Sequence, residues 1–171
     1  MSTIEERVAA LEAQVAALTA RRERPAPNDR AAAPSAKDVF WALEGLKERL
    51  PDPAGAVLYT GVVEAREGEP YEWQYGATVA ELLDADWSEY ASTLGALAHP
   101  VRLLLLREVL GGRRGVAALA EVEGLGTSGQ LYHHLRQLVS AGWLRTTGRG
   151  SYAVPPERVV PLLVTITAAR R

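Results

Sequence analysis

The residues LGALAHPVRLLLLREVLGG (94–112), RRGVAALAEVEGLG (113–126) and TSGQLYHHLRQLVSAGWLRTTGRGSYAV (127–154) form one continuous stretch, and reading it decides the fold. In order, it predicts an apolar buried helix, a short helix, a turn, an amphipathic helix and a hairpin tipped by Gly148-Arg149-Gly150. Gly124 and Gly126 bracket the turn, and Thr127 stands where a helix N-cap is wanted. After it Leu131, Leu135, Leu138 and Val139 recur at helical spacing and make an inward stripe. The opposite face carries Ser128, Gln130, His133, Arg136 and Gln137, side chains able to hydrogen-bond base edges and phosphates.

That order of elements is the skeleton of a winged helix-turn-helix. Ala96-Leu-Ala-His-Pro-Val-Arg102 resembles the entry motif of the ArsR/SmtB-type bacterial repressors. Thr127 to Leu135 resembles their recognition helix, and Trp143 to Val154 their wing. The resemblance covers residues 86–170, about half the chain, and implies a DNA-binding regulator that works as a homodimer. Metal sensing in that family uses a thiolate pair near the first helix of the motif, or paired His and acid ligands on the last helix. Val116 to Glu123 and Glu157 to Thr167 contain no thiolate and no His, so that function is not carried over. No metal and no cofactor is implied.

The chain has 171 residues and no cysteine, which excludes disulfides and thiolate metal sites. Its N-terminus lacks the basic and apolar regions of a signal peptide, and Val159 to Ala169 is too short and Pro-broken to span a membrane. A cytoplasmic protein is expected. The net charge of −2 hides an asymmetry. Residues 1–85 hold 9 basic and 15 acidic side chains, a balance of −6, and residues 86–171 hold 10 and 6, a balance of +4. The basic half carries the helix-turn-helix, as phosphate binding requires.

Four segments follow along the chain. Residues 1–24 read as a coiled-coil helix: Thr3-Ile-Glu-Glu6 is a capping box, and Ile4, Val8, Leu11, Val15 and Leu18 form a heptad seam. The alternative is a helix that packs on its own domain. Residues 25–36, with three prolines and no apolar periodicity, read as a flexible linker. Residues 37–85 read as a helix plus a β-hairpin. Ser35 caps the helix, whose apolar face is Val39, Phe40, Leu43, Leu46 and Leu50, and the strands are Ala56 to Val63 and Pro70 to Gly76. Tyr71, Trp73 and Tyr75 share one face of the second strand, with Glu72 and Gln74 on the other. An isolated hairpin needs a neighbour, so most of this row should be buried, against the Ser35 helix or another subunit. A pocket for an apolar effector is the third possibility.

Residues 86–171 read as the winged domain, including the dimer surface. Thr78-Val-Ala-Glu81 is a capping box for a short helix through Leu83, and Asp86 starts a helix to Leu97 with Trp87, Tyr90, Leu94 and Leu97 facing inward. Pro100 sits at N1 of the central helix. Pro161 kinks or starts the last helix, whose Val159, Val160, Leu162, Leu163, Val164 and Ile166 are apolar on too many sides for a lone surface helix. With the Asp86 helix it makes the expected twofold interface: Trp87, Tyr90, Leu94, Leu162, Leu163 and Ile166, joined by Val8, Leu11, Val15 and Leu18.

The candidate DNA contacts are Thr127, Ser128, Gly129, Gln130, Tyr132, His133, Arg136, Arg145, Arg149 and Ser151. Gln130 ranks first for base reading, because a carboxamide can pair bidentately with adenine. Gly129 allows close backbone approach or is a neutral surface position. Tyr132 stacks on a sugar or tucks under the wing. Arg136 is a phosphate contact, Arg145, Arg149 and Ser151 flank the wing tip, and Arg113 and Arg114 are further backbone candidates. His99 reads as structural, just before the central helix, and His134 matches the family's semi-buried histidine. The fold class expected is α+β, and the function a sequence-specific DNA-binding regulator, a repressor by analogy. Its partners are double-stranded DNA and a second copy, with the N-terminal helix and hairpin available for a higher oligomer or protein partner. The alternative is a protein-interaction or assembly module with little DNA binding. Nothing suggests an enzyme: three histidines, no cysteine and no paired carboxylates leave little to build an active site from.

Overall fold

The computed structural model describes residues 39–50, 55–64 and 70–170. The heptad residues Val8, Leu11, Val15 and Leu18, the linker and the Ser35 cap lie outside these. The described residues form an α+β structure of seven α-helices and two antiparallel hairpins. The chain divides into two units, Met1–Glu48 and Arg49–Arg171. The described part of the first, residues 39–48, holds all but the last residue of helix α1 (Trp41–Arg49), where Lys47 Nζ donates to Glu44 Oε1 at 2.8 Å. Among the described residues no helix is long and apolar enough to cross a membrane.

The second unit opens with β1 (Ala56–Val63) and β2 (Tyr71–Thr78), paired so that Tyr59 faces Tyr75, Gly61 faces Trp73 and Val63 faces Tyr71. The alternation expected of β2 is present, but its neighbour within this unit is the C-terminal helix α7 (Pro156–Ala168). Gly61 makes the close approach possible, since a Cβ there would lie 2.8 Å from Val160 Cγ1. Only one end of the aromatic row is covered. Val63 and Tyr71 pack against the core, whereas Trp73 is 37% and Tyr75 57% exposed. The expectation that most of these aromatics are buried is therefore corrected.

Thr78 ends β2 and caps α2 (Val79–Asp84) with the full capping box: Thr78 N donates to Glu81 Oε2 at 2.8 Å, and Glu81 N to Thr78 Oγ1 at 3.2 Å. The Thr78 amide, and then its hydroxyl, which also donates to Oε2 at 2.9 Å, hold the Glu81 pKa below the usual carboxylate value. Asp86 Oδ1 accepts from Ser88 N at 2.9 Å, but the turn it starts is 3₁₀ (Trp87–Tyr90), and α3 begins only at Ala91, running to Leu97. The tighter winding of about three residues per turn takes Trp87 and Tyr90 out of phase with the α-helical stripe. Ala96 and Leu97 are buried, Leu97 as expected, but Trp87, Tyr90 and Leu94 are exposed, and for these three the inward-facing expectation is corrected.

Pro100 occupies the first turn of α4 (Pro100–Leu110), and His99 Nδ1 accepts from Val101 N at 3.2 Å as its cap. Leu105, Leu106 and Val109 of α4 are buried, as are Leu119 of α5 (Val116–Ala120) and Leu125. Gly124 and Gly126 take φ of 87° and 78°, the left-handed conformation that lets the chain double back into α6 (Ser128–Ser140). Leu131, Leu135 and Leu138 of α6 are at most 1% exposed, each worth about 1.5–3 kcal/mol of burial. The second hairpin, β3 (Arg145–Gly148) and β4 (Ser151–Ala153), carries a register shift between Thr146 and Gly148. On the outer edge of β4, beside the tip, Ser151 also bridges Gly115. Pro161 lies inside α7 and does not start it; Val159, Val160 and Leu162 of that helix are buried.

Candidate nucleic-acid interface

The amphipathic character of α6 sorts its residues into a seated face and an open one. Ser128, Gly129, Tyr132, His133 and Arg136 are exposed beside the buried leucines. Tyr132 is 46% exposed and so does not tuck under the second hairpin. A Cβ on Gly129 would meet nothing within 4 Å, so internal packing does not require glycine there. Arg136 Nε donates to Tyr132 O at 3.3 Å, which lays the guanidinium along the helix.

Two residues of the expected reading set are occupied elsewhere. Thr127 N donates to Gln130 Oε1 at 2.9 Å while Gln130 N donates to Thr127 Oγ1 at 3.4 Å, a capping box that closes the N-terminus of α6. With Oε1 held by the cap, Gln130 lacks the free acceptor that bidentate adenine pairing needs. In this arrangement Gln130 and the Thr127 hydroxyl form the helix cap, and adenine reading by Gln130 requires its Oε1 to leave Thr127. Gln137 Oε1, further along α6, accepts from Arg102 Nη1 at 2.7 Å.

Arg102 itself is the residue sequence reasoning passed over. Its Nε donates to Ala96 O and its Nη2 to Gly95 O at 2.9 Å, so one half-buried guanidinium ties the end of α3 to α6. Its place in the Ala96–Arg102 motif was the available signal. Trp143 adds a second tie, its Nε1 donating to Thr93 O at 2.8 Å, and Arg158 lies over its ring at 5.1 Å.

The chain's three histidines lie close together, with His133 on the open face. The His99 and His134 rings are 4.6 Å apart, and those of His133 and His134 are 5.5 Å apart. His134 Nδ1 is buried without a hydrogen-bond partner. Burial, followed by His99, His133 and Arg102, pushes the His134 pKa below its ordinary value, so the ring is held neutral. His99 and His134 therefore serve the seat of α6, leaving His133 as the exposed histidine. Among the described residues no three His, Asp or Glu side chains form a metal-sized cluster.

In the second hairpin, Arg145 and Arg149 are exposed, Arg149 between Gly148 and Gly150. Ser151 is not free in the same way: it is half-buried, bridges Gly115, and its Oγ accepts from Thr147 Oγ1 at 3.1 Å. Arg113 is drawn to Glu108, 3.4 Å away, while Arg114 contributes its carbonyl to Tyr152 N at 2.8 Å. Of the residues expected at a twofold interface, Trp87, Tyr90, Leu94, Leu163 and Ile166 are exposed. Leu162 is 3% exposed and belongs to the core of its own chain, so it is withdrawn from that set. Compared with protein-family models and with curated proteins, the chain matches none.

Proposed function

We propose that this chain is a sequence-specific DNA-binding transcriptional regulator of the winged helix-turn-helix type, acting as a homodimer and, by analogy, as a repressor in the cytoplasm. The observation that carries the reading is α6: a capped helix seated by three buried leucines, with Ser128, Tyr132, His133 and Arg136 on its open face. Arg149 at a glycine-flanked hairpin tip supplies a cation at a second position. In this mechanism α6 enters a major groove, Ser128 and His133 meet base edges, and Arg136, Arg145 and Arg149 meet phosphates. The exposed Trp87, Tyr90, Leu94, Leu163 and Ile166 supply the apolar surface of the twofold contact.

Duplex binding followed by fluorescence anisotropy across a salt series tests this. Counterion release predicts a steep fall of affinity with salt, and Arg136→Ala and Arg149→Ala should each lower the log–log slope by about one. The second reading, a protein-interaction module, is favoured by the exposed Trp73 and Tyr75 of the first hairpin. A flat salt response would select it. For the dimer, Leu94→Glu should shift the sedimentation coefficient from dimer to monomer without changing the circular dichroism spectrum.

A further inference from the structure

Between α3 and α6 lies an open pocket of about 380 Å³ whose lining includes Ser92, Gly95, Ala96, Arg102, Gln137 and Ser140. The volume is within the usual range for small-molecule sites, and no lining residue is acidic. Arg102 is the charged group in it, and among the described residues no carboxylate pairs with that guanidinium.

A guanidinium has five N–H donors. Ala96 O takes the one on Nε, Gln137 Oε1 takes one from Nη1, and Gly95 O takes one from Nη2. One donor therefore remains on each Nη, so the guanidinium keeps two charge-assisted donors to offer a carboxylate. The three acceptors already in place are neutral, so the positive charge is solvated by dipoles and not cancelled. Ser92 and Ser140 add hydroxyls from the two helices that form the walls.

We infer that this pocket is a binding site for a small polar carboxylate, held by the two remaining Nη donors of Arg102 and flanked by Ser92 and Ser140. The occupant bridges α3, which carries exposed Leu94, to α6. The site stands on its own geometry and needs no DNA to be measured.

The test uses the full chain and ¹H–¹⁵N correlation spectra during titration with acetate, malate and citrate, with glycerol as the uncharged control. Saturable shifts at Ser92, Gly95, Gln137 and Ser140, with malate and citrate tighter than acetate and no response to glycerol, are expected. Because Arg102→Ala can disturb the fold, the deciding variant is Gly95→Leu. A Cβ at Gly95 meets nothing within 4 Å, so the added side chain fills open space beside the pocket. It should weaken malate binding by at least about tenfold, read as the midpoint of titration. Arg149→Ala should leave the midpoint unchanged. No saturable shift with any of the three carboxylates, or equal binding by Gly95→Leu, would overturn the assignment. So would shifts that follow Arg149 instead of the pocket.

Discussion

Gln130 is where two readings of one side chain can be separated by stability alone. Its Oε1 accepts from Thr127 N at 2.9 Å and from Thr127 Oγ1 at 3.2 Å, while its own N–H is taken by Thr127 Oγ1. Gln130→Ala removes the acceptor and leaves the Thr127 amide to solvent. By the usual worth of a helix cap, that costs about 1 kcal/mol. For a chain of 171 residues it corresponds to a fall in Tm of about 2–4 °C. Gln130→Glu keeps two acceptors at the same reach and adds a negative charge in the first helical turn, a favourable contribution of about 0.3–1 kcal/mol. The Glu variant should therefore match or exceed the parent, most visibly at low salt. Thermal unfolding followed by circular dichroism, without DNA, gives both values. If Ala leaves Tm unchanged, or Glu loses as much as Ala, the capping role is refuted.

Three further outcomes are expected. Arg102→Ala breaks the tie from Ala96 and Gly95 to Gln137 and should cost about 2 kcal/mol, with Arg102→Lys failing to restore it because an ammonium lacks the fork; chemical denaturation measures both, and a loss below about 0.5 kcal/mol contradicts it. The His134 pKa is depressed in the folded chain, so its contribution to stability is full above the ordinary value of 6.5 and declines as pH falls below it. His134→Leu should flatten the stability profile between about pH 7 and pH 5, and an unchanged profile would show that the buried ring is not the cause. Gly61→Ala puts a Cβ 2.8 Å from Val160 and should loosen the first hairpin by about 1–3 kcal/mol, read as faster amide exchange in β1 and β2 while the leucines of α6 stay protected.

Much of this architecture was legible because the signals are local. Pro100 at N1, Thr78 with Glu81, and the glycine pair at 124 and 126 act through bonds and dihedrals within a few residues, and each appears where the pattern puts it. The failures have the opposite character. Trp87, Tyr90 and Leu94 have helical spacing, but spacing says only that residues share a face, not what covers it, and a 3₁₀ turn broke the phase. The aromatic row of β2 was right in its alternation and wrong in its burial, because Tyr71 packs on the core while Trp73 and Tyr75 stay exposed. At the site, the capping bond of Gln130 was missed although the signal was present: Thr127-Ser-Gly-Gln130 has the spacing recognised at Thr78. Arg102 and Gln137 are 35 residues apart, and no periodicity relates them.

The central claim is that the open face of α6 reads a sequence. Selection of bound genomic fragments by the purified full chain, at two salt concentrations and beside a Ser128→Ala/His133→Ala variant, tests it most directly. The account predicts enrichment of a palindrome whose half-sites lie about one helical turn apart or a multiple of it, lost in the variant while weak nonspecific binding remains. Fragments recovered without sequence enrichment, or an enriched sequence that the variant still selects, would contradict it.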